Sequence, residues 1–333
     1  MIKKTYPHHF QSSSYSSPQP GSSVIITGAV HGNETCGTLA IRRVIAELEE
    51  GRLQLLAGRL TLVPVCNPLA YHLEQREGER NLNRRLIPTT DPQEFEDHVA
   101  NWLCPLLAQH DVLLDLHSFR GEGEPFVLIG PENNRGPIES FSHEKHELGM
   151  AMRLGVHRLV DGWLGTYARG VQRRQQRLAD DADAKTVANA NTQFGVGTTE
   201  YMRSVGGYAM TLECGQHLDP QAPAVAYTAI VNSLRHLGVI AGTAPEAVAE
   251  MEALRIYDVI DKLHDDDSFV REWRSFDVLA QGELIGIRAD GSEVRADQDG
   301  RIIFPDAAAR AGEEWFYLTM PNPRLTDLAK AGA

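Results

Sequence analysis

Three apolar runs in this chain stop at a side chain able to do chemistry. "VIITGAVHGNETCG" (24–37) carries Val24, Ile25, Ile26, Ala29 and Val30 and then turns polar at His31, Gly32, Asn33 and Glu34. "DVLLDLHS" (111–118) ends at His117, and "YAMTLECG" (208–215) carries Glu213 near its end. His31, Glu34 and His117 offer two imidazoles and one carboxylate, which is a donor set for a catalytic zinc that keeps a further position open. Each residue also has a structural reading. An HxxE pair fits a polar turn before a helix, whose first turn favours an acidic side chain. A lone strand histidine fits a satisfied core, and a strand-end glutamate fits a cap on the following turn. Asp115 shares a face with His117 where the strand is regular, as a further ligand or as a partner behind the histidine.

The elements that would position these residues alternate between strand and helix through about residue 240. Val24 to Val30 reads as a strand, and Ile41, Val44, Ile45 and Leu48 recur at helical spacing before Gly51. "RLTLVPV" (59–65) is the next strand, with a turn at Asn67-Pro68 and a helix over 95–108. Strands at 111–118, 126–130 and 208–215 and a closing helix at 222–237 complete the pattern. The fold class expected is α/β, a mostly parallel or mixed sheet with helices on both faces, plus a small C-terminal antiparallel β module. Ligands of such sheets sit beyond the carboxyl ends of the strands, where His31, His117 and Glu213 fall. From about residue 250 short strand-like runs are broken by DG and QG turns, so the division expected is a domain carrying His31, Glu34, His117 and Glu213 at 1–245 and a β module at 246–333. The serine- and proline-rich stretch 11–23 reads as an irregular lead-in, and 178–198 carries no readable pattern.

Composition narrows the function. With 42% hydrophobic and 23% charged residues, the 333-residue chain reads as a soluble globule. Its 32 basic against 45 acidic side chains leave a net charge of -13, which disfavours nucleic acid or an anionic membrane as partner. No stretch is apolar enough for a signal peptide or a membrane span, so a cytoplasmic location is expected. Cys36, Cys66, Cys104 and Cys214 are widely spaced without a CxxC pair, and are expected to be reduced and buried.

"NPLAYHLEQREGERNLNRRL" (67–86) sharpens this. Its NPxA, then Arg76, then Asn83-Arg84, placed after HGxE and before DLH, resembles the succinylglutamate desuccinylase and aspartoacylase family of zinc-carboxypeptidase-like hydrolases. The resemblance covers roughly residues 24 to 240 in motif order. It implies one zinc ion per chain held by His31, Glu34 and His117, and Glu213 of "TLECG" as general base. It also implies Arg76 as the carbonyl-polarising residue and Asn83 with Arg84 as the pair that binds the substrate carboxylate. The family usually reads DLNR, whereas here Asn81 stands in the aspartate's place.

These roles agree with the chemistry of the side chains. Zinc lowers the pKa of water from about 15.7 toward 7. A carboxylate within reach can move the proton, arginine can stabilise charge developing on a carbonyl oxygen, and a guanidinium fork suits a carboxylate. The function expected is hydrolysis of the amide of an N-acyl amino acid or similar small carboxylate-bearing amide. A zinc carboxypeptidase on the same scaffold and a non-catalytic metal- or ligand-binding protein are the alternatives. The partner expected is that small molecule, with homo-oligomerisation left open.

Overall fold

The computed structural model describes residues 9–177 and 191–324. Strands β1 (Ser13–Ser16), β2 (Ser23–Gly28), β3 (Arg59–Val63) and β4 (Val112–Phe119) and helices α1 (Cys36–Glu49), α2 (Pro68–Leu73) and α3 (Phe95–Leu107) form the first half. Then come β5 (Phe126–Leu128), α4 (Glu144–Ala151), β6 (Arg158–Asp161), α5 (Trp163–Arg177), α6 (Thr198–Ser204), β7 (Tyr208–Gln216) and α7 (Ala222–His236). The C-terminal strands are β8 (Glu252–Asp261), β9 (Ser268–Phe269), β10 (Val278–Leu279), β11 (Leu284–Ile287), β12 (Glu293–Arg295), β13 (Gly300–Ile303) and β14 (Glu314–Pro321).

Among the described residues the main sheet has 11 strands in the order β1-β3-β2-β4-β7-β5-β6-β8-β14-β13-β10, and β12-β11-β9 form a separate 3-stranded antiparallel sheet. β3, β2, β4 and β7 run parallel. Their residues alternate between two helical layers, as strands buried on both faces must. Ile26, Leu114 and Met210 pack in the core shared with α1, α4 and α7, while Ile25, Leu113 and Ala209 pack in the core shared with α3.

The sheet is mixed because β5 pairs antiparallel to β7. A parallel return needs a crossover of a dozen or more residues, and the connection 120–125 is too short to supply one. β6 lies parallel to β5, and β8 parallel to β6. The sheet therefore runs on from the α/β layers into the C-terminal strands. The stretch read as an irregular lead-in instead contains β1, which pairs antiparallel with β3. Its serines gave no apolar alternation, because an edge strand of this length is held mainly by backbone bonds, joined here by Ser14 Oγ to Thr61 Oγ1 at 3.0 Å. Of the stretch without readable pattern, 178–190 lies outside the described residues, and Thr198 opens α6. All four cysteines are buried and free. Among the described residues, no helix is long and apolar enough to cross a membrane.

Candidate metal and catalytic site

The site grows from the strand faces. In β2, β4 and β7 the odd-numbered positions share one face: Ile25, Leu113 and Ala209 lie in the apolar core, and Thr27, Asp115, His117, Thr211 and Glu213 continue that face toward the carboxyl ends. β4 and β7 put His117 directly beside Glu213. The turn after β2 brings in His31 and Glu34, with the Glu34 N–H bonded to the His31 carbonyl at 3.1 Å. A Cβ on Gly32 would lie 1.9 Å from the Ala70 carbonyl carbon, so the glycine of HGxE is what lets this turn rest on the alanine of NPxA. Asn67 caps α2 and donates to buried Glu96, which also accepts the backbone N–H groups of Gly78, Glu79 and Arg80. That carboxylate anchors the loop carrying Arg76.

His31, Glu34 and His117 are 2%, 1% and 2% exposed, and a donor atom from each lies within 4.8 Å of the others. His31 Nδ1 is 2.8 Å from Glu34 Oε1, and His117 Nδ1 is 2.8 Å from Glu34 Oε2. Each histidine is engaged from behind, His31 Nε2 by Asn81 Oδ1 at 3.1 Å and His117 Nε2 by Asp115 Oδ2 at 2.9 Å. Those acceptors call for a proton on Nε2, which leaves the Nδ1 lone pairs facing a carboxylate that also carries lone pairs. Atoms of that kind at such separations need a proton or a cation among them, so the donor set fits a divalent metal ion, and its nitrogen and oxygen character suits zinc. Burial pushes the Glu34 carboxyl up, but the two imidazoles beside it hold it well below the usual carboxylate range. Burial, aided by the Arg76 charge, lowers His31 to about 4. For His117, burial acts downward and is overcome by Asp115 and Glu34, which raise it well above the usual value.

Glu213 is 7% exposed and its Oε2 is buried without a hydrogen-bond partner. Burial raises its carboxyl to about 8, against an opposing pull from His117 and reinforced by Glu34. A carboxyl whose folded-state pKa is raised has its stability intact below its unfolded value and loses it as pH rises through the folded value. Metal-free protein should therefore lose melting temperature from pH 6 to 9 more steeply than metal-free Glu213→Gln. The difference should be on the order of a few kcal/mol and should level off above about 8. Histidines away from Glu213 titrate alike in both proteins and cancel, while His117, which pulls against the burial effect on Glu213, adds to the difference between the curves. Parallel melting curves would remove the burial effect from Glu213.

Arg76 is the exposed member of the group, with Nη1 3.1 Å from Glu34 Oε1 and a side chain 45% accessible. Arg84 is buried: Nη1 donates to the Asn83 carbonyl at 2.9 Å, and Nη2 is 3.7 Å from Glu314 Oε2. Its guanidinium carbon lies 5.2 Å from the Trp163 ring centroid and 5.7 Å from that of Tyr167. Asn83 Oδ1 accepts the Thr198 N–H at 3.0 Å.

Besides Trp163, four residues around Arg84 escaped the sequence reading. Tyr167 and Arg174 come from α5, and Glu314 and Tyr317 come from β14. Arg174 bonds Asp261 through Nη2 at 2.6 Å and Glu314 through the same nitrogen at 3.3 Å. Tyr167 Oη, Tyr317 Oη and Arg174 Nη1 are all buried without hydrogen-bond partners. Buried polar atoms are seldom left unpaired, so this group is suited to a polar ligand. Glu314 is pushed up by burial but held low by Arg84, Arg174 and Arg76. The available signal was faint: 167 and 174 recur at helical spacing, and "EWFYLTM" reads as a strand without a motif.

Fold and site together define an α/β protein with a His/Glu/His group at the ends of parallel strands. Residues 20–131, which include all the motif residues except Glu213, match the pattern described as the succinylglutamate desuccinylase/aspartoacylase catalytic domain. That segment is similar to the catalytic domain of the succinylglutamate desuccinylase/aspartoacylase family. No curated protein matches the sequence. Among solved structures, a succinylglutamate desuccinylase/aspartoacylase from Rhodobacter sphaeroides is similar at 18% identity and TM-score 0.69, over 94% of this chain and 90% of that one. The product-bound ectoine utilization protein EutE (DoeB) from Ruegeria pomeroyi is similar at 18% identity and TM-score 0.67, over 93% and 88%. A succinylglutamate desuccinylase from Vibrio parahaemolyticus is similar at 17% identity and TM-score 0.66, over 94% and 92%. At these identities the likeness is one of fold.

Proposed function

We propose that this chain is a zinc-dependent amidohydrolase that removes the acyl group from an N-acyl amino acid or a similar small carboxylate-bearing amide. The observation that carries the reading is the convergence of His31 Nδ1, His117 Nδ1 and both Glu34 oxygens beside Glu213, whose Oε2 has no other partner. His31, Glu34 and His117 would hold the zinc ion, which when bound supplies Lewis acidity that polarises the amide carbonyl and acidifies water. Glu213 Oε2 takes the proton of the attacking water as the new C–O bond forms. It returns that proton to the amide nitrogen as the C–N bond breaks, so a carboxylate and an amine leave. Arg76 offers its guanidinium to the charge developing on the carbonyl oxygen.

Arg84 and Asn83 seat the substrate carboxylate, and Tyr167, Arg174 and Tyr317 offer donors for its other polar groups. In this division residues 1–245 supply the metal ligands and base, and 246–333 supply Glu314 and Tyr317. The burial of Arg84 under β14 supports a small substrate over a peptide, whose chain would need an open groove. Four buried free cysteines agree with a cytoplasmic setting.

A panel of N-acyl amino acids, each assayed with and without a chelator, tests this. At least one should be hydrolysed only by the zinc-loaded protein, and its carboxamide analogue should be turned over poorly. Arg84→Ala should raise KM on the acid far more than it lowers kcat, because the fork holds ground and transition states alike. Arg84→Lys should recover little, since an ammonium cannot form the fork. Equal penalties on acid and carboxamide would remove Arg84 from the carboxylate seat.

A further inference from the structure

Behind the three metal-facing side chains runs a line of hydrogen bonds that joins one histidine to the other. His31 Nε2 donates to Asn81 Oδ1, which also accepts the Asn83 backbone N–H at 2.9 Å. Two N–H donors on one atom fix the amide's orientation, because only its oxygen can accept both. Asn83 Oδ1 in turn accepts the Thr198 N–H. Thr198 Oγ1 donates to Asp115 Oδ2, and that same oxygen accepts from His117 Nε2. Thr27 Oγ1 donates to the other oxygen of Asp115 at 2.6 Å. Thr198 and Asp115 are fully buried. The turn ahead of α6 is shaped around this line: a Cβ on Gly197 would lie 2.1 Å from Asn83 Oδ1.

We propose that Asn81 and Thr198 are positioning residues that fasten the backs of His31 and His117 together through Asn83, so that zinc affinity depends on two side chains touching neither metal nor substrate. This rests on the reading of His31, Glu34 and His117 as zinc ligands. An imidazole binds through Nδ1 only while its proton stays on Nε2 and its ring is held, and the acceptor behind the ring does both. Asp115 does this for His117 as a carboxylate, itself oriented by Thr198 and Thr27. Asn81 does it for His31 as a neutral amide, a weaker acceptor than a carboxylate. The departure from DLNR thus leaves His31 the less firmly polarised ligand, and the line through Asn83 and Thr198 supplies the rigidity.

The test is competition for zinc between the stripped protein and a chromogenic chelator, with thermal melting of each stripped variant as a control on folding. Loss of a hydrogen-bonding partner behind a metal ligand typically costs about 10- to 100-fold in affinity. Thr198→Val and Asn81→Leu should each fall in that range, Thr198→Ser should regain most of the loss, and Asn81→Asp should bind more tightly than wild type. Wild-type affinity in both Thr198→Val and Asn81→Leu, while His117→Ala loses zinc, would overturn the proposal and leave the metal site standing. Should neither wild type nor His117→Ala bind zinc, the metal site and the proposal fall together. If Thr198→Val or Asn81→Leu fails to fold, Asn81→Asp decides alone: tighter binding upholds the proposal, and unchanged or weaker binding overturns it.

Discussion

Glu213→Gln is expected to keep its zinc and its fold while kcat falls by about 10²-fold or more. The substitution preserves size and polarity and removes the negative charge and the ability to take a proton. Glu213 lies directly beside His117 on the neighbouring strand, and its Oε2 has no internal bond to lose. An amide there leaves the neighbouring donors in place, so metal content should match wild type. KM should change little, because the proposed carboxylate seat at Arg84 is built from other elements. In the metal-free site burial raises the Glu213 carboxyl to about 8, and a divalent cation bound beside it would favour the carboxylate, the form a base needs. Turnover at the wild-type rate in Glu213→Gln would sink the assignment of the base. Lost activity together with lost zinc would recast Glu213 as part of the metal site.

What the sequence made legible follows from the range of the forces involved. The parallel strands were readable because burial on both faces gives them near-continuous apolar runs, as in "VIIT" and "VLLDL", each closed by a polar residue at its carboxyl end. His31, Glu34 and His117 came within reach of one another as their motif order implied, and Asp115 stands behind His117 because β4 is regular across that pair. Strand order was another matter. β7 sits between β4 and β5, and β5 runs against it, which depends on pairing between segments far apart in sequence. β1 was invisible because edge pairing with β3 rests on backbone groups that every residue carries. The surroundings of Arg84 were hidden for a related reason: Tyr167 and Arg174 sit on a helix of polar composition, and Glu314 and Tyr317 arrive from a strand some 230 residues later in the chain. Asn81 was visible as a departure from pattern, but only the fold shows that its oxygen accepts hydrogen bonds from the His31 Nε2–H and the Asn83 N–H at once.

The proposed amidohydrolase activity requires one zinc ion held by His31, Glu34 and His117. His31→Ala or His117→Ala removes one of three converging donors, and two are too few to hold the ion in a site that must keep a position open. Activity should then fall with metal content, and added zinc should restore neither at concentrations that saturate wild type. Because both histidines are buried, each truncation also costs stability, so the measurement is made on the fraction that elutes and melts as folded protein. The decisive number is zinc per chain by elemental analysis of wild type, His31→Ala and His117→Ala purified in parallel. One zinc ion per chain is expected in wild type and near none in either variant; stoichiometric zinc in both variants would remove the two histidines from the metal site.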